Sequence, residues 1–258
     1  MKPTISKSQY VRGLQCKKAL WLFRNRKDLQ SELTSAQKDL FDIGNLIGKL
    51  AMENFPSGVE VKNEYWDING AIKTTNKYID DGNSIIFEAT AMHPLTGAYS
   101  KIDILKRFED TDLWDLIEVK SSTQVKEYHK DDLAFQYYVF SNSGYKIRNS
   151  YMMLIDNSYK RTGNIEPTKI LQLIDISEEV KNRQNEVNKK TIELCNSLTD
   201  SGVPKEKIGE KCFKPFECDF KLYCWKHVPD YSVYNVFQKK KAESIDYKHG
   251  VLLENLPA

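Results

Sequence analysis

Asp103, Glu118 and Lys120 are the residues in this 258-residue sequence from which chemistry is most directly built. Glu109-Asp110-Thr111-Asp112 is a polar break between two runs of alternating apolar residues, Ala98 to Phe108 and Leu113 to Ser121. A turn centred between Asp110 and Thr111 makes the runs a hairpin, and counting outward fixes the partners. Phe108 meets Leu113, Lys106 meets Asp115, Leu105 meets Leu116, Ile104 meets Ile117 and Ile102 meets Val119. Apolar then faces apolar and opposite charges face each other, which is what a paired sheet rewards. The same count sets Asp103 opposite Glu118. Opposed carboxylates repel across a ladder, and a bound divalent cation turns that repulsion into ligation. Lys120 is two residues past Glu118 and shares its face, while Ile117 and Val119 point to a helix layer on the other. Carboxylates for Mg2+ or Mn2+ beside an ammonium group are what phosphodiester hydrolysis needs. A solvent-facing strand with scattered charges has the same composition, and spacing alone leaves both readings open. The next helix, from Lys130 to Phe140, carries Gln136 either toward that face or into solvent.

A second group is made of sulfur. Of the cysteines, Cys212, Cys218 and Cys224 are separated by gaps of five residues with aromatics between them, Cys195 precedes them, and Cys16 lies near the other end. Zinc ribbons usually pair cysteines through gaps of two to four residues, whereas an iron–sulfur cluster takes four thiolates in an apolar shell. Spacing alone leaves zinc and iron–sulfur open. The pattern does not suggest a disulfide framework, because the cysteines number five and no apolar signal core opens the chain.

The elements that must position these groups follow from periodicity and caps. Ser6 or Ser8 starts a helix expected to run to about Phe23 with Cys16 inside it, and a second helix runs from Ser35 to about Asn54. Gly44 and Gly48, one turn apart on it, invite close approach of another backbone. A short helix covers Gly70 to Asp80. Strands are expected at Ser84 to Met92, at the two arms of the hairpin, at Arg148 to Ile155 and at Thr168 to Ile176, and a long helix from Glu178 to about Leu198, with Cys195 in it. Helices, a strand meander, a helix, strands and a helix together imply an α/β fold with a mixed central sheet flanked by helices. Lys plus Arg is 38 against 36 for Asp plus Glu, so net charge gives no signal for nucleic acid. No apolar run reaches the roughly 20 residues of a membrane helix, and the expectation is a cytoplasmic protein with no membrane partner.

The motifs resemble a known family. Asp103, then Glu118-Val119-Lys120, then Gln136-Tyr137-Tyr138-Val139-Phe140 on a helix resemble motifs II, III and IV of RecB-like PD-(D/E)XK nucleases. The resemblance implies a restriction-endonuclease-like core in which Asp103 and Glu118 bind metal, the Val119 carbonyl assists, Lys120 is catalytic and Gln136 positions substrate. Phe140 stands where the fourth motif usually ends in Tyr, and Gly48 where many members carry a metal-binding His. Glu88 is a candidate substitute, although an outward strand residue is the better reading of it. The segment from Ser6 to Leu22 and the Cys-rich loop resemble the split ligands of iron–sulfur RecB-like nucleases, among them CRISPR-associated exonucleases and AddB-type repair nucleases. That implies a 4Fe–4S cluster on Cys16, Cys212, Cys218 and Cys224, tying the ends of the domain together.

The resemblance spans about residues 5–228 and is nearest to a bacterial branch of unassigned role whose nuclease part precedes a longer domain. Residues 1–228 are therefore expected to form one nuclease domain, with the core near 84–176 and the cluster subdomain from 5–55 and 177–228. Residues 229–258 are expected to be a tail that resembles the start of a further domain. The partners it implies are DNA, as single strands or ends, and other DNA-repair or CRISPR proteins. Lys126, Tyr128, His129, Tyr137 and Tyr138 are available to a single-strand channel, although ordinary surface or core is the better reading of each. The resemblance implies a metal-dependent exonuclease on single-stranded or end-containing DNA, in repair, CRISPR adaptation or phage defence; the alternative is an iron–sulfur module that grips nucleic acid or a partner without cutting.

Overall fold

The computed structural model describes residues 4–199 and 202–255. Positions 1–3, 200, 201 and 256–258, which belong to the expected domain and its tail, lie outside them. The helices in chain order are α1 (Lys7–Gln15), α2 (Lys17–Asn25), α3 (Ser35–Glu53), α4 (Ile68–Asp80), α5 (Glu127–Asn142), α6 (Pro167–Ile170), α7 (Ser177–Asn182), α8 (Gln184–Ser197), α9 (Lys221–Trp225), α10 (Val233–Val236) and α11 (Lys239–His249). The strands are β1 (Val59–Glu60), β2 (Ile85–Met92), β3 (Tyr99–Arg107), β4 (Leu113–Lys120), β5 (Lys146–Ile155) and β6 (Leu171–Asp175). The chain divides into two units, one of Met1–Ser8 with Thr34–Cys195 and one of Gln9–Leu33 with Asn196–Ala258. No helix among the described residues is long and apolar enough to cross a membrane.

The first unit is a mixed six-stranded sheet in the order β1-β2-β3-β4-β5-β6, with helices packed on it. β1 runs parallel to β2 and β4 parallel to β5, and the other neighbours are antiparallel. The parallel step from β4 to β5 needs a crossover, which α5 supplies. Alternation along the strands decides what faces what. Phe87, Ile104, Ile117 and Met153 form one core with Ile47, Leu50 and Ala51 of α3, and Val119 packs against it. The intervening positions of β4 therefore look the other way, toward α5, whose Leu133, Ala134, Phe135, Val139 and Phe140 are fully buried.

The hairpin register is Arg107↔Trp114, Lys106↔Asp115, Leu105↔Leu116 and Ile104↔Ile117, the register counted from the turn. Phe108 adds a backbone bond to Leu113 at 2.8 Å. The N-terminal segment joins this sheet: Ile5 is fully buried, its carbonyl accepts from Tyr99 N at 3.0 Å, and Ser6 bridges to Tyr99. That contact fixes where Lys7 begins α1.

Several expectations fail locally. The first helix is not continuous, because Cys16 is extended (φ −163, ψ 118) and caps α2. The Cys16 amide still donates to the Arg12 carbonyl at 2.9 Å and its carbonyl accepts from Leu20 N at 3.1 Å, so the chain turns at Cys16 while keeping both backbone bonds. A methyl group placed on Gly44 or Gly48 would meet nothing within 4 Å, so no backbone approaches α3 there. The last strand is shorter than expected, since Pro167 starts a helical turn and only Leu171–Asp175 pairs. The long helix breaks at Arg183, where the Gln184 side chain takes the Val180 carbonyl at 2.7 Å that its backbone amide would have taken. β1 was not legible, being two residues long.

The second unit has its own small core of Ala19, Leu22 and Phe220. Polar bonds join its two chain segments. Arg12 donates to Asp219 at 2.8 Å, Gln30 to the same carboxylate at 2.9 Å, and the Gln15 amide to the carbonyls of Lys211 at 2.7 Å and Phe216 at 2.8 Å.

One pair in the sheet carries a sharp energetic consequence. Asp115 is 3% exposed at an irregularity of the β4–β5 ladder, and Arg148 grips it with two bonds of 2.8 and 2.6 Å while lying 3.7 Å over the Phe108 ring. Arg148→Met keeps the apolar stem and strands the carboxylate. It is expected to cost about 2–4 kcal/mol in chemical denaturation; a cost under about 0.5 kcal/mol contradicts the assignment.

Candidate active site

Glu118 is the centre of the polar constellation in the first unit. It lies on the α5 side of β4 and is 1% exposed. Its Oε1 accepts from Lys120 Nζ at 2.5 Å and Lys7 Nζ at 2.7 Å, and its Oε2 accepts from Gln136 Nε2 at 2.7 Å. Gln136 and Asp132 are four apart on α5 and so project together from one helix face. Asp132 Oδ2 accepts from Lys120 Nζ at 2.6 Å, and its Oδ1 is 3.9 Å from Lys7 Nζ. Asp103 sits one residue beyond the last hairpin pair, and its Oδ2 accepts from Val119 N at 2.7 Å. A side-chain carboxylate thus takes the bond that a ladder carbonyl would otherwise receive.

The electrostatics follow from enclosure. Burial raises the Asp103 carboxyl to about 7, helped by the charge of Glu118 and opposed by Lys7 and Lys120. Burial pushes Glu118 upward as well, but the ammonium groups of Lys120 and Lys7 outweigh it and hold the carboxyl well below the usual range. For Lys7 and Lys120 burial favours the neutral amine, and the surrounding carboxylates, Asp132 first, overcome this and keep both charged. Asp132 is raised by burial.

Two acceptors are left over. Among the described residues, Asp132 Oδ1 and Gln136 Oε1 are buried with no hydrogen-bond partner, a condition that costs about 1–3 kcal/mol per group when nothing meets it. Anionic and carbonyl oxygens with spare lone pairs are the donor set that hard divalent cations take, so these residues fit Mg2+ or Mn2+ chemically. As they stand, no three His, Cys, Asp or Glu side chains among the described residues are arranged to hold a metal ion, and both ammonium groups lie on Glu118 Oε1.

Asp103, Glu118, Lys120 and Gln136 are therefore gathered around one point, with the Val119 amide. The sequence reading missed Lys7 and Asp132. Asp132 was within reach, being one turn before Gln136. Lys7 was not, because nothing local relates it to a strand 111 positions away. Glu88 occupies the same row: the β2–β3 register pairs Phe87↔Ile104 and Ala89↔Ile102 and passes over Glu88 and Asp103 between them. Its φ is +58, a left-handed conformation that costs a non-glycine residue roughly 1 kcal/mol or more, and its carboxylate lies 3.4 Å from Lys101. Among the channel candidates, His129 and Tyr138 are buried at 2% and 4%, which leaves them to the core.

In the second unit Cys16, Cys212, Cys218 and Cys224 line one cavity with Ala19, Ile208 and Phe220. The Cys218 amide donates to the Cys212 carbonyl at 2.9 Å, and the Cys224 amide to that of Phe220 at 2.9 Å. Burial raises the thiols of Cys16 and Cys224 and pushes Cys218 to about 11. Cys195 belongs to the other unit, near the end of α8.

Fold and constellation define an α/β protein with a buried carboxylate–lysine site at the edge of a hairpin. No family model and no curated protein matches the sequence. Among solved structures, the crystal structure of SSO0001 aligns with a TM-score of 0.44 and 15% identity over 87% of each chain. An alkaline exonuclease, LHK-Exo from Laribacter hongkongensis, aligns with a TM-score of 0.31 and 11% identity, over 73% of this chain and 93% of that one. Likeness at this level carries no functional argument, and the site stands on its own geometry.

The raised Asp103 carboxyl has a thermodynamic signature. Between the unfolded pKa near 3.8 and about 7 the folded chain holds a proton that the unfolded chain has released, so stability contributed by this group falls as pH rises through that window and is flat above it. Asp103→Asn keeps an oxygen for the Val119 amide and removes the titration. The unfolding free energy of the variant relative to wild type, both measured by chemical denaturation in chelator, is expected to rise from pH 5 to pH 7.5, by no more than about 1.4 kcal/mol per pH unit. A difference that stays constant with pH overturns the assignment.

Proposed function

We propose that this chain is a Mg2+- or Mn2+-dependent nuclease with a restriction-endonuclease-like core of the RecB-like PD-(D/E)XK type, acting on DNA as single strands or ends. The observation that carries the reading is the convergence of Asp103, Glu118 and Lys120 at the end of the β3–β4 ladder, roofed by Gln136 of α5. Asp103, Glu118 and the Val119 carbonyl would hold the cation, with Asp132 Oδ1 as spare anionic capacity. When bound, the cation offers charge to a phosphate oxygen and lowers the pKa of water. Lys120 is clamped between Glu118 and Asp132, so its ammonium group is fixed in place and kept protonated, as a group that stabilises developing negative charge must be. Gln136 fixes the rotamer of Glu118 from the helix side. Lys7 adds a second positive charge facing the same point.

One observation favours a second reading. Glu118 is already neutralised by two ammonium groups, which suits a binding module that does not cut. The discriminating measurement is hydrolysis of end-labelled single- and double-stranded DNA with and without Mn2+. Asp103→Ala, Glu118→Ala and Lys120→Ala are each expected to lower the rate at least about 100-fold while circular dichroism stays unchanged. The carboxylate variants should also weaken Mn2+ binding by calorimetry, and Lys120→Ala should affect it much less. A folded variant of any of the three that keeps full activity removes it from the site, and a wild type inert toward DNA supports the binding module.

We further propose that Cys16, Cys212, Cys218 and Cys224 hold a 4Fe–4S cluster that is structural, because hydrolysis moves no electrons. Their common cavity supports this, as does the fully buried Phe220 that lines it. Cys16→Ala is expected to lower iron, sulfide and thermal stability together, and Cys195→Ser to leave all of them unchanged. One zinc per chain without sulfide overturns the cluster, and full metal retention by Cys16→Ala removes that ligand.

A further inference from the structure

The row of the sheet that carries the carboxylates continues to the edge strand. Glu60 pairs with Phe87, and Val61 donates to the Phe87 carbonyl at 3.0 Å, so the chain leaves β1 beside Glu88 in the row that runs on through Asp103 to Glu118. Val61 is 2% exposed and anchors that exit. The next few residues present two large aromatics to solvent. Tyr65 is 82% and Trp66 66% exposed, with ring centroids 4.8 Å apart at 84°. Aromatic side chains ordinarily bury about 150–250 Å² each, and folding gains nothing from leaving both in water.

Their turn is held by a set of short bonds. Asn63 Nδ2 donates to Asp67 Oδ2 at 3.0 Å, Asp67 N to the Glu64 carbonyl at 2.9 Å, and Gly70 N to Asp67 Oδ1 at 2.9 Å, where Asp67 caps α4. Gly70 must lack a side chain, since a Cβ would meet Asp67 Oδ2 at 1.9 Å. The rings are therefore displayed from a fixed turn. Nearby, Lys62 is paired with Glu60 at 3.3 Å and Lys101 of β3 with Glu88 at 3.4 Å, so the two carboxylates are each matched by an ammonium group.

We propose that Tyr65 and Trp66 form a stacking platform for the bases of a single-stranded nucleic acid whose backbone runs along the carboxylate row, an inference that rests on the nuclease reading. From Val61 to Glu118 is three strand spacings, roughly 14 Å at about 4.8 Å each, and Tyr65 and Trp66 follow Val61 by four and five residues, so a strand of several nucleotides spans from the rings to a phosphate at Lys120. The ligand is a single strand because paired bases hide their faces in the duplex, and stacking on aromatic rings tolerates any base.

The test is fluorescence anisotropy of a labelled 12-mer oligothymidylate in chelator, where binding is read without cleavage. Tyr65→Ala and Trp66→Ala are each expected to weaken binding by between about 5- and 100-fold, with folding unchanged by circular dichroism. Trp66→Phe should retain most of the affinity. The salt dependence of binding should keep its slope in the alanine variants, because stacking releases no counterions. Alanine variants that bind as tightly as a binding wild type overturn the platform and leave the nuclease reading standing. A wild type that does not bind the oligomer overturns the platform whatever it cuts, and one that neither binds nor cuts DNA takes the nuclease reading with it.

Discussion

A carboxylate that is 1% exposed must be compensated, and the arrangement around Glu118 is that compensation. The effective penalty for removing an ion from water is several kcal/mol even after relaxation. Glu118 meets it with two ammonium groups on one oxygen and an amide on the other. Each partner then has its own demand. Lys120 is buried too, so it takes Asp132 as well as Glu118, and Asp132 is held one turn from Gln136 by α5. Three carboxylates (Asp103, Glu118 and Asp132) face two ammonium groups (Lys7 and Lys120), which leaves one negative charge if all are ionised. Asp103 absorbs the excess by holding a proton up to about pH 7. The charges then balance, and release of the Asp103 proton leaves the group with one net negative charge.

The legible part of this arrangement was the part written in local periodicity. The turn at Glu109–Asp112 fixed a register that the structure repeats pair for pair from Arg107↔Trp114 to Ile104↔Ile117, because a one-residue slip would have turned every apolar residue of two strands to the wrong face. Helix α3 was legible from its Ser35 start, and Thr34 caps it with a full capping box. Lys7 was illegible for the opposite reason. Its role is set by Ile5 docking on Tyr99, a contact with no local signature, so the residue reads as one more surface lysine. Cys16 illustrates a third case: its neighbours have helix propensity, yet the chain turns extended there and Cys16 lines a cavity with Cys212, Cys218 and Cys224, which are distant in sequence, so the helix breaks where a local pattern says it should continue.

The cysteines separate spacing from placement. Gaps of five residues among Cys212, Cys218 and Cys224 could not choose between metals, and the cavity they share with Cys16 still names no metal. What the second unit adds is a reason for the long-range partner. Gln15, immediately before Cys16, donates to the carbonyls of Lys211 and Phe216, and Arg12 bonds Asp219. The segment bearing Cys16 is therefore tied by side chains to the loop on both sides of Cys212 and Cys218, independently of any bond through sulfur.

The row through Val61, Glu88, Asp103 and Glu118 shows how a sheet makes room for such a site. The β3–β4 pairing stops there while β4 stays paired with β5 through Lys120: β1 ends, Glu88 turns to φ +58, the β2–β3 register passes over Asp103 before resuming at Ala89↔Ile102, and the Asp103 carboxylate replaces a ladder carbonyl on the Val119 amide. Each of these forfeits ladder bonds or stores strain, and each would be unfavourable in the middle of a sheet. A backbone engaged in full pairing on both sides holds its strands about 4.8 Å apart and leaves no polar atom over. Where the β3–β4 pairing lapses, the Asp103 carboxylate reaches the Val119 amide between the strands. The site therefore lies at the end of the β3–β4 ladder, where side-chain bonds take over from backbone pairing, and the rigid pairs just before it, Ile104↔Ile117 and Phe87↔Ile104, hold those side chains at fixed separation.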